Sequence, residues 1–144
     1  MDQPKNNTTN RLLVIDDDRT FGAIISAVAK TKAFEPLYCS SLIDLGSFAR
    51  IREFDVAIID YFLGSMQGDE IAEYVDTFFS EIPVIIVSSR PFNDDEVAAW
   101  PSSVRRFIAK SNGPEAIVEA ARALVNREQL LKRLRVSRAS SPSM

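Results

Sequence analysis

Four short apolar runs in this chain each end in a residue suited to binding a metal ion or a phosphoryl group. The runs occupy residues 12–15, 56–59, 84–87 and 107–109, and the polar residues that follow them are Asp16 with Asp17 and Asp18, Asp60, Ser88 and Lys110. Apolar runs that alternate with longer amphipathic stretches are typical of a parallel sheet covered by helices on both faces. Since ligands bind beyond the carboxyl ends of such strands, we expect one pocket for a cation and a phosphoryl group.

Composition narrows the kind of protein further. A chain of 144 residues is long enough for one domain with its own core. It contains no histidine, so a phosphoryl group must rest on a carboxylate, a hydroxyl or a partner's side chain. The single Cys39 cannot form an intrachain disulfide, and neither a signal peptide nor an apolar run of roughly 20 residues is evident. These features predict a cytoplasmic protein that is not embedded in a membrane.

The periodicity of apolar residues predicts five strand and helix pairs. Thr20 is a candidate N-cap for a first helix over residues 20–30, and Ser41 or Asp44 can begin a second helix. Pro114 suits the first turn of a last helix. The other predicted elements are an edge strand at residues 36–39, a third strand at 55–59, a helix with Ile71, Tyr74, Val75 and Phe78, a fourth strand opened by Pro83, a short helix after 91–95, and a fifth strand at 104–109.

Charge and composition divide the chain into three segments. Residues 1–10 are polar and predict a disordered N-terminus, and residues 11–126 carry the predicted domain. Residues 127–144 contain five basic side chains and one acid, which predicts a basic helical extension, followed by disorder over residues 137–144. Such an extension suits a coiled coil, a linker to an effector or a nucleic-acid contact. Because no helix-turn-helix pattern accompanies it, we do not expect direct, sequence-specific DNA binding by this chain.

The polar residues at the strand ends suggest a division of roles. Asp16, Asp17 and Asp60 together suit a hard cation such as Mg²⁺, which prefers oxygen ligands; alternatively, residues 16–18 only cap the following helix. Asp60 follows four apolar residues and can accept phosphate as a mixed anhydride. Ser88 can donate a hydrogen bond to a phosphoryl oxygen and Lys110 can pair with another, although either side chain can simply be solvated.

With these residues in this order, residues 11–125 resemble the receiver domain of CheY-like response regulators in bacterial two-component phosphorelay signalling. The resemblance implies a doubly wound, flavodoxin-like sheet with strand order 2-1-3-4-5. It also implies that Asp16 and Asp17 hold Mg²⁺, that Asp60 is phosphorylated, and that Ser88 and Lys110 contact the phosphoryl group. The chain would then be no enzyme in the usual sense, since its only chemistry is its own phosphorylation and dephosphorylation.

The resemblance implies further roles outside the acidic cluster. The backbone carbonyl of Phe62 would also bind the metal, Phe107 would act as the aromatic switch, and Phe62 with Arg90 would tune dephosphorylation. The phosphodonor would be a histidine kinase or a histidine phosphotransfer protein. The surface of the fourth helix, fifth strand and fifth helix would contact an unknown output protein or effector domain, or form a homodimer.

Three residues depart from the family pattern. Gly64 stands where a proline is common, and Gln67 replaces an acid or asparagine. Ser111 replaces the proline that usually follows the lysine, often through a cis bond; before serine a cis peptide costs about 3 to 4 kcal/mol. At these three positions we expect the response to phosphorylation to differ from that of typical family members.

Two alternatives use the same residues differently. The stretch Asp16, Asp17, Asp18, Arg19, Thr20 also fits the start of haloacid-dehalogenase-type phosphatases, with Asp16 as nucleophile. That interpretation leaves Asp60 without a role, and residues 111–113, which follow Lys110, supply none of the further acids that such enzymes need for Mg²⁺. In the second alternative the chain is a degenerate receiver that serves only as a protein-interaction module.

Overall fold

A computed structural model describes residues 9–46, 48–63, 66, 68–98 and 100–139 as alternating strands and helices. The strands and α-helices are β1 (Asn10–Ile15), α1 (Arg19–Thr31), β2 (Phe34–Cys39), β3 (Val56–Asp60), α2 (Gly68–Phe78), β4 (Val84–Ser88), α3 (Asp94–Ala98), β5 (Val104–Ala109) and α4 (Pro114–Ala139). Short 3-10 helices cover Ile43–Leu45, Phe48–Glu53 and Lys110–Asn112.

The strands form one parallel sheet in the order β2-β1-β3-β4-β5, which confirms the predicted topology. The register aligns Ile15 with Ile59, Asp60 with Val87, and Ser88 with Ala109. The polar residues that end or follow these strands therefore meet at one edge of the sheet, as the sequence predicts.

Side chains of the central strands alternate between two apolar cores, one on each face of the sheet. Leu13, Ile15 and Ile59 belong to one core, which is closed by the 3-10 segments and α2. Leu12, Val14 and Ile58 belong to the other, which is closed by α1 and α4. With both faces covered, the sheet holds its carboxyl edge as a fixed platform for the polar residues.

The first and second predicted helices need correction. Asp18, not Thr20, caps α1, because its Oδ1 accepts a hydrogen bond from the Phe21 N–H at 3.1 Å. The second helix is replaced by the 3-10 helices Ile43–Leu45 and Phe48–Glu53. Gly46 lies between them with φ +83°, a left-handed conformation that interrupts a right-handed helix.

The boundaries of the domain also differ from the prediction. Asn10, assigned from sequence to the disordered N-terminus, is the first residue of β1. At the other end α4 continues through Ala139, three residues into the segment predicted to be disordered. In the extension Leu130, Leu134 and Val136 are exposed. Among the described helices, none is long and apolar enough to cross a membrane.

Arg122 on α4 ties together the end of α1 and the start of β1. Its guanidinium donates to the carbonyls of Lys32 and Ala33 at 2.8 and 2.9 Å and to Asn10 Oδ1 at 2.8 Å. It also lies 4.1 Å from the ring centroid of Phe34. Ala33 has φ +62°, which is unfavourable for a non-glycine residue, and these bonds hold that turn in place.

Replacing Arg122 with Met should lower the free energy of unfolding by on the order of 2 to 3 kcal/mol, since several charge-assisted hydrogen bonds are lost together. Urea unfolding of the variant measures this change. The control is Arg127→Met, at an exposed position on the same helix, which should change stability by less than about 0.5 kcal/mol. Equal effects from the two substitutions would contradict the role of Arg122.

Candidate functional site

Three acids converge at the carboxyl edge of the sheet. Asp16 and Asp17 follow β1, and Asp60 ends β3. One carboxylate oxygen from each lies within 4.8 Å of the others. Asp16 and Asp60 are buried, whereas Asp17 is exposed. The cluster therefore has one side open to a ligand and two acids enclosed by protein.

The loop after β1 is held by several hydrogen bonds on Asp16. Its backbone N–H donates to the Cys39 carbonyl at 3.1 Å, and its own carbonyl accepts from the Tyr38 hydroxyl at 2.5 Å. Its Oδ1 accepts from the Asp18 N–H at 2.8 Å. The main chain and one carboxylate oxygen of Asp16 are thus fixed before any ligand binds.

Lys110 lies among the acids. Its Nζ is 2.8 Å from Asp16 Oδ2 and 3.8 Å from Asp60 Oδ2. The same ammonium group lies 4.3 Å from the ring centroid of Phe21, in the first turn of α1. In this arrangement Lys110 pairs more closely with Asp16 than with Asp60.

One lysine does not balance the buried acids. Burial raises the pKa of Asp60 and Asp16 adds to the rise, while Lys110 and the Phe62 N–H lower it, so that the pKa lies at about 7. Burial also raises the pKa of Asp16, against the hydrogen bond from Lys110. Asp16 and Asp60 are therefore hard to ionise beside each other. Together with Asp17 at the opening, they form a set of oxygen ligands that fits a hard divalent cation.

Ser88 ends the neighbouring strand β4, and Arg90 follows it. Ser88 is buried at the end of β4, and its Oγ accepts a hydrogen bond from the Arg90 N–H at 3.2 Å. Asp60 pairs in the sheet with Val87, the residue before Ser88. The structure therefore groups Asp16, Asp17 and Asp60 within 4.8 Å, with Lys110 beside Asp16 and Asp60, and places Ser88 at the adjoining strand end.

An aromatic cluster borders the acids; we define it as Tyr61, Phe62, Phe92, Trp100 and Phe107. Tyr61 packs edge-on against Phe62 at 4.8 Å and against Phe92 at 5.5 Å between ring centroids. Phe107 packs against Phe92 at 5.2 Å and Trp100 at 5.6 Å. The Arg90 guanidinium lies 5.5 Å from the ring centroids of both Tyr61 and Phe62. Phe107 is thus turned toward its aromatic neighbours, and Phe62, 37% exposed, forms the outer part of the cluster.

Sequence reasoning missed several residues that shape this site. Tyr61 follows Asp60 directly, so its position beside the acids could be predicted from the sequence. Its packing onto Phe92 and Trp100 could not, because these residues belong to distant segments of the chain. Tyr38 and Phe21 gave no signal beyond their place on predicted elements. Gly64 and Gln67 lie outside the described residues. Within the described chain every peptide bond is trans, including that between Lys110 and Ser111.

The sequence of this chain matches a known family and is similar to known regulatory proteins. A family model described as the response regulator receiver domain matches residues 12–122. The heme response regulator HssR of Staphylococcus saprophyticus is 25% identical over 115 residues, which cover 80% of this chain and 51% of that protein. The transcriptional regulatory protein BaeR of Escherichia coli is 20% identical over 139 residues, covering 96% of this chain and 58% of that protein. The chain thus spans about half the length of these relatives.

Solved structures show the same fold. The signal receiver domain of a putative LuxO repressor protein from Vibrio parahaemolyticus superposes with a TM-score of 0.73 at 15% identity, covering 88% of this chain and 97% of that one. A response regulator receiver domain from Clostridium thermocellum gives 0.71 at 24% identity, covering 85% and 98%. The family match, which extends over most of the chain, identifies the chain as a member of the response regulator receiver domain family.

Proposed function

We propose that this receiver domain accepts a phosphoryl group on Asp60 and passes the change to an output surface. The observation that carries the proposal is the grouping of Asp16, Asp17 and Asp60 within 4.8 Å, with Lys110 Nζ 2.8 Å from Asp16 and 3.8 Å from Asp60. Such a set of charges suits a phosphoryl transfer, in which positioning and charge stabilisation supply most of the catalysis.

The donor is proposed to be a phosphohistidine on a histidine kinase or a histidine phosphotransfer protein. An Asp60 carboxylate oxygen attacks phosphorus in line, an O–P bond forms and the N–P bond breaks. The histidine nitrogen keeps the electron pair of that bond and takes up a proton. Mg²⁺, held by Asp16, Asp17, Asp60 and the Phe62 carbonyl, would neutralise charge between the carboxylate and the incoming phosphoryl group.

Lys110 and Ser88 are proposed to sense the product. A phosphoryl group on Asp60 places a dianion beside Lys110, which would exchange part of its pairing with Asp16 for a phosphoryl oxygen. The Ser88 hydroxyl would donate to another phosphoryl oxygen. Ser88 precedes the segment that carries Phe92, and Lys110 follows the strand that carries Phe107, so their movement would change the packing of Phe107. The surface of α3, β5 and α4 is then the proposed output face, for an effector, a partner protein or a second copy.

The alternative phosphatase reading is not favoured by the contacts of Asp16. Its Oδ1 accepts a hydrogen bond from the Asp18 N–H and its Oδ2 pairs with Lys110. Asp18 is occupied as the cap of α1. Asp60, by contrast, lies in the acidic cluster, and the phosphatase hypothesis gives it no function. Incubation with phosphoramidate and Mg²⁺, followed by mapping of the modified peptide, tests the proposal and separates Asp60 from Asp16.

Phe62 is expected to slow the loss of the phosphoryl group. Its ring is held between Tyr61 and Arg90 at the rim of the site, where an apolar group restricts the approach of water. Replacing Phe62 with Asn should speed dephosphorylation by about tenfold, which corresponds to roughly 1.4 kcal/mol in the barrier. The release of phosphate over time measures this.

Phe78 supplies a matched control, because it lies on α2 and has the same 37% exposure as Phe62. Phe78→Asn should leave the rate of phosphate release unchanged. A rate for Phe62→Asn equal to that of the unmodified protein would remove the shielding role.

A further inference from the structure

Tyr38 links the edge strand β2 to the loop that carries two of the acids. Its hydroxyl donates to the Asp16 carbonyl at 2.5 Å. The neighbouring residue Cys39 accepts from the Asp16 N–H at 3.1 Å. β2 therefore holds the main chain of Asp16 on both sides, once through a backbone bond and once through a side chain.

Gly22 of α1 makes room for the Tyr38 ring. A Cβ atom at residue 22 would overlap three ring atoms of Tyr38, so no other amino acid fits without moving the ring. Glycine in a helix interior costs roughly 0.5 to 1 kcal/mol relative to alanine. Gly22 is buried, and its N–H donates to the Asp18 carbonyl at 3.0 Å. The helix is thus intrinsically less stable at Gly22, where the Tyr38 ring packs against it.

We propose that Tyr38 is a positioning residue for the acid cluster, and that Gly22 is its structural partner. The inference rests on the proposed function, in which Asp16 and Asp17 are metal ligands. The Asp16 carbonyl belongs to the same rigid peptide unit as the Asp17 N–H. Holding that carbonyl therefore fixes the peptide plane and the Cα atom from which the exposed Asp17 side chain extends, whereas Asp16 is also anchored through its own carboxylate.

The protonation of Tyr38 suits a donor role. The phenol of a tyrosine is protonated at neutral pH. The hydroxyl therefore keeps its proton at neutral pH and remains a hydrogen-bond donor. A phenylalanine would keep the ring over Gly22 and remove only this hydrogen bond.

The first test is calorimetric titration of Mg²⁺ into the unphosphorylated protein. Tyr38→Phe should weaken Mg²⁺ binding by about tenfold, as expected when a group that orients a metal ligand is lost. The thermal midpoint in chelator should change little, because ring packing is kept. Tyr74→Phe, on α2, is the matched control and should bind Mg²⁺ as the unmodified protein does.

A second pair of variants separates packing from positioning. Gly22→Ala should lower both the thermal midpoint and the Mg²⁺ affinity, because the new methyl group displaces the Tyr38 ring. Adding Tyr38→Ala makes room for that methyl group, so the double variant should regain much of the thermal midpoint but none of the affinity. Recovery of both quantities in the double variant would overturn the positioning role.

The outcomes also separate this inference from the proposed function. If the unmodified protein binds Mg²⁺ and takes up phosphate, but Tyr38→Phe binds Mg²⁺ equally well, only the role of Tyr38 is wrong. If the unmodified protein neither binds Mg²⁺ nor takes up phosphate, the proposed function and the role of Tyr38 both fail.

Discussion

Asp60→Asn should abolish phosphoryl uptake from phosphoramidate in the presence of Mg²⁺. The substitution keeps the size of the side chain but removes the nucleophilic oxygen and the charge that attracts the cation. We expect the rate of incorporation to fall by at least about 100-fold, since this group forms the new bond itself. Intact-protein mass measurement gives the rate, as the increase in mass by one phosphoryl group.

Asp76→Asn is the appropriate control for this experiment. Asp76 is an exposed acid on α2, so its substitution changes the net charge by the same amount without touching the cluster. It should be phosphorylated like the unmodified protein. Phosphorylation of Asp60→Asn at the normal rate, or a modified peptide that contains Asp16 and not Asp60, would contradict the proposed function.

The fold was predictable because burial and strand order leave a clear signal in this sequence. Each central strand is an uninterrupted apolar run with a polar end, and such runs are required where both faces of a sheet are covered. The second helix was not predictable in the same way. Leu42, Leu45 and Phe48 have helical spacing, but Gly46 with φ +83° breaks the helix between them.

The site was predictable to the extent that its residues end strands. Asp16, Asp60, Ser88 and Lys110 each follow an apolar run, so the parallel sheet alone brings them to one edge. The contacts that support the fold around these residues could not be predicted in this way. Arg122 is a charged residue on a helix, a type usually solvated, and its hydrogen bonds to Lys32 and Ala33 join segments that are 90 and 89 residues apart.

The same limit applies to Tyr38 and Gly22. Glycine in a helix and tyrosine on an edge strand are each unremarkable in a sequence. Their relation appears only when α1 is packed beside β2, because the absent Cβ of one is the space filled by the ring of the other. Such a fit between distant residues leaves no local pattern in the sequence. It nevertheless supports Asp16, a residue that the local pattern does predict.

The buried acids should also make stability fall as pH rises. The pKa of Asp60 is raised to about 7 from an ordinary value of 3.8, chiefly by burial and also by the neighbouring Asp16. Between these values the folded protein binds a proton that the unfolded chain has released, so the free energy of unfolding decreases with pH. The full difference of about 3 pH units corresponds to on the order of 4 kcal/mol, present below pH 3.8 and lost as pH rises through about 7.

Asp60→Asn isolates this contribution, because other titrating groups are common to both proteins. In chelator, the variant should become more stable relative to the unmodified protein by about 2 to 3 kcal/mol between pH 5 and pH 8, at 1.36 kcal/mol per pH unit. Urea unfolding at the two pH values gives the difference, and Asp76→Asn should show none. A stability difference that is the same at both pH values would contradict the raised pKa of Asp60.

Magnesium should reverse this loss of stability far more in the unmodified protein than in Asp60→Asn. A cation that binds only the folded cluster stabilises it by mass action, and it offsets the repulsion between Asp16 and Asp60. At pH 8, Mg²⁺ should therefore raise the stability of the unmodified protein substantially and that of Asp60→Asn much less. This result would mean that the domain keeps its acceptor in an environment where ionisation is unfavourable, so that the ion that assists the chemistry also relieves the strain of keeping the acids together.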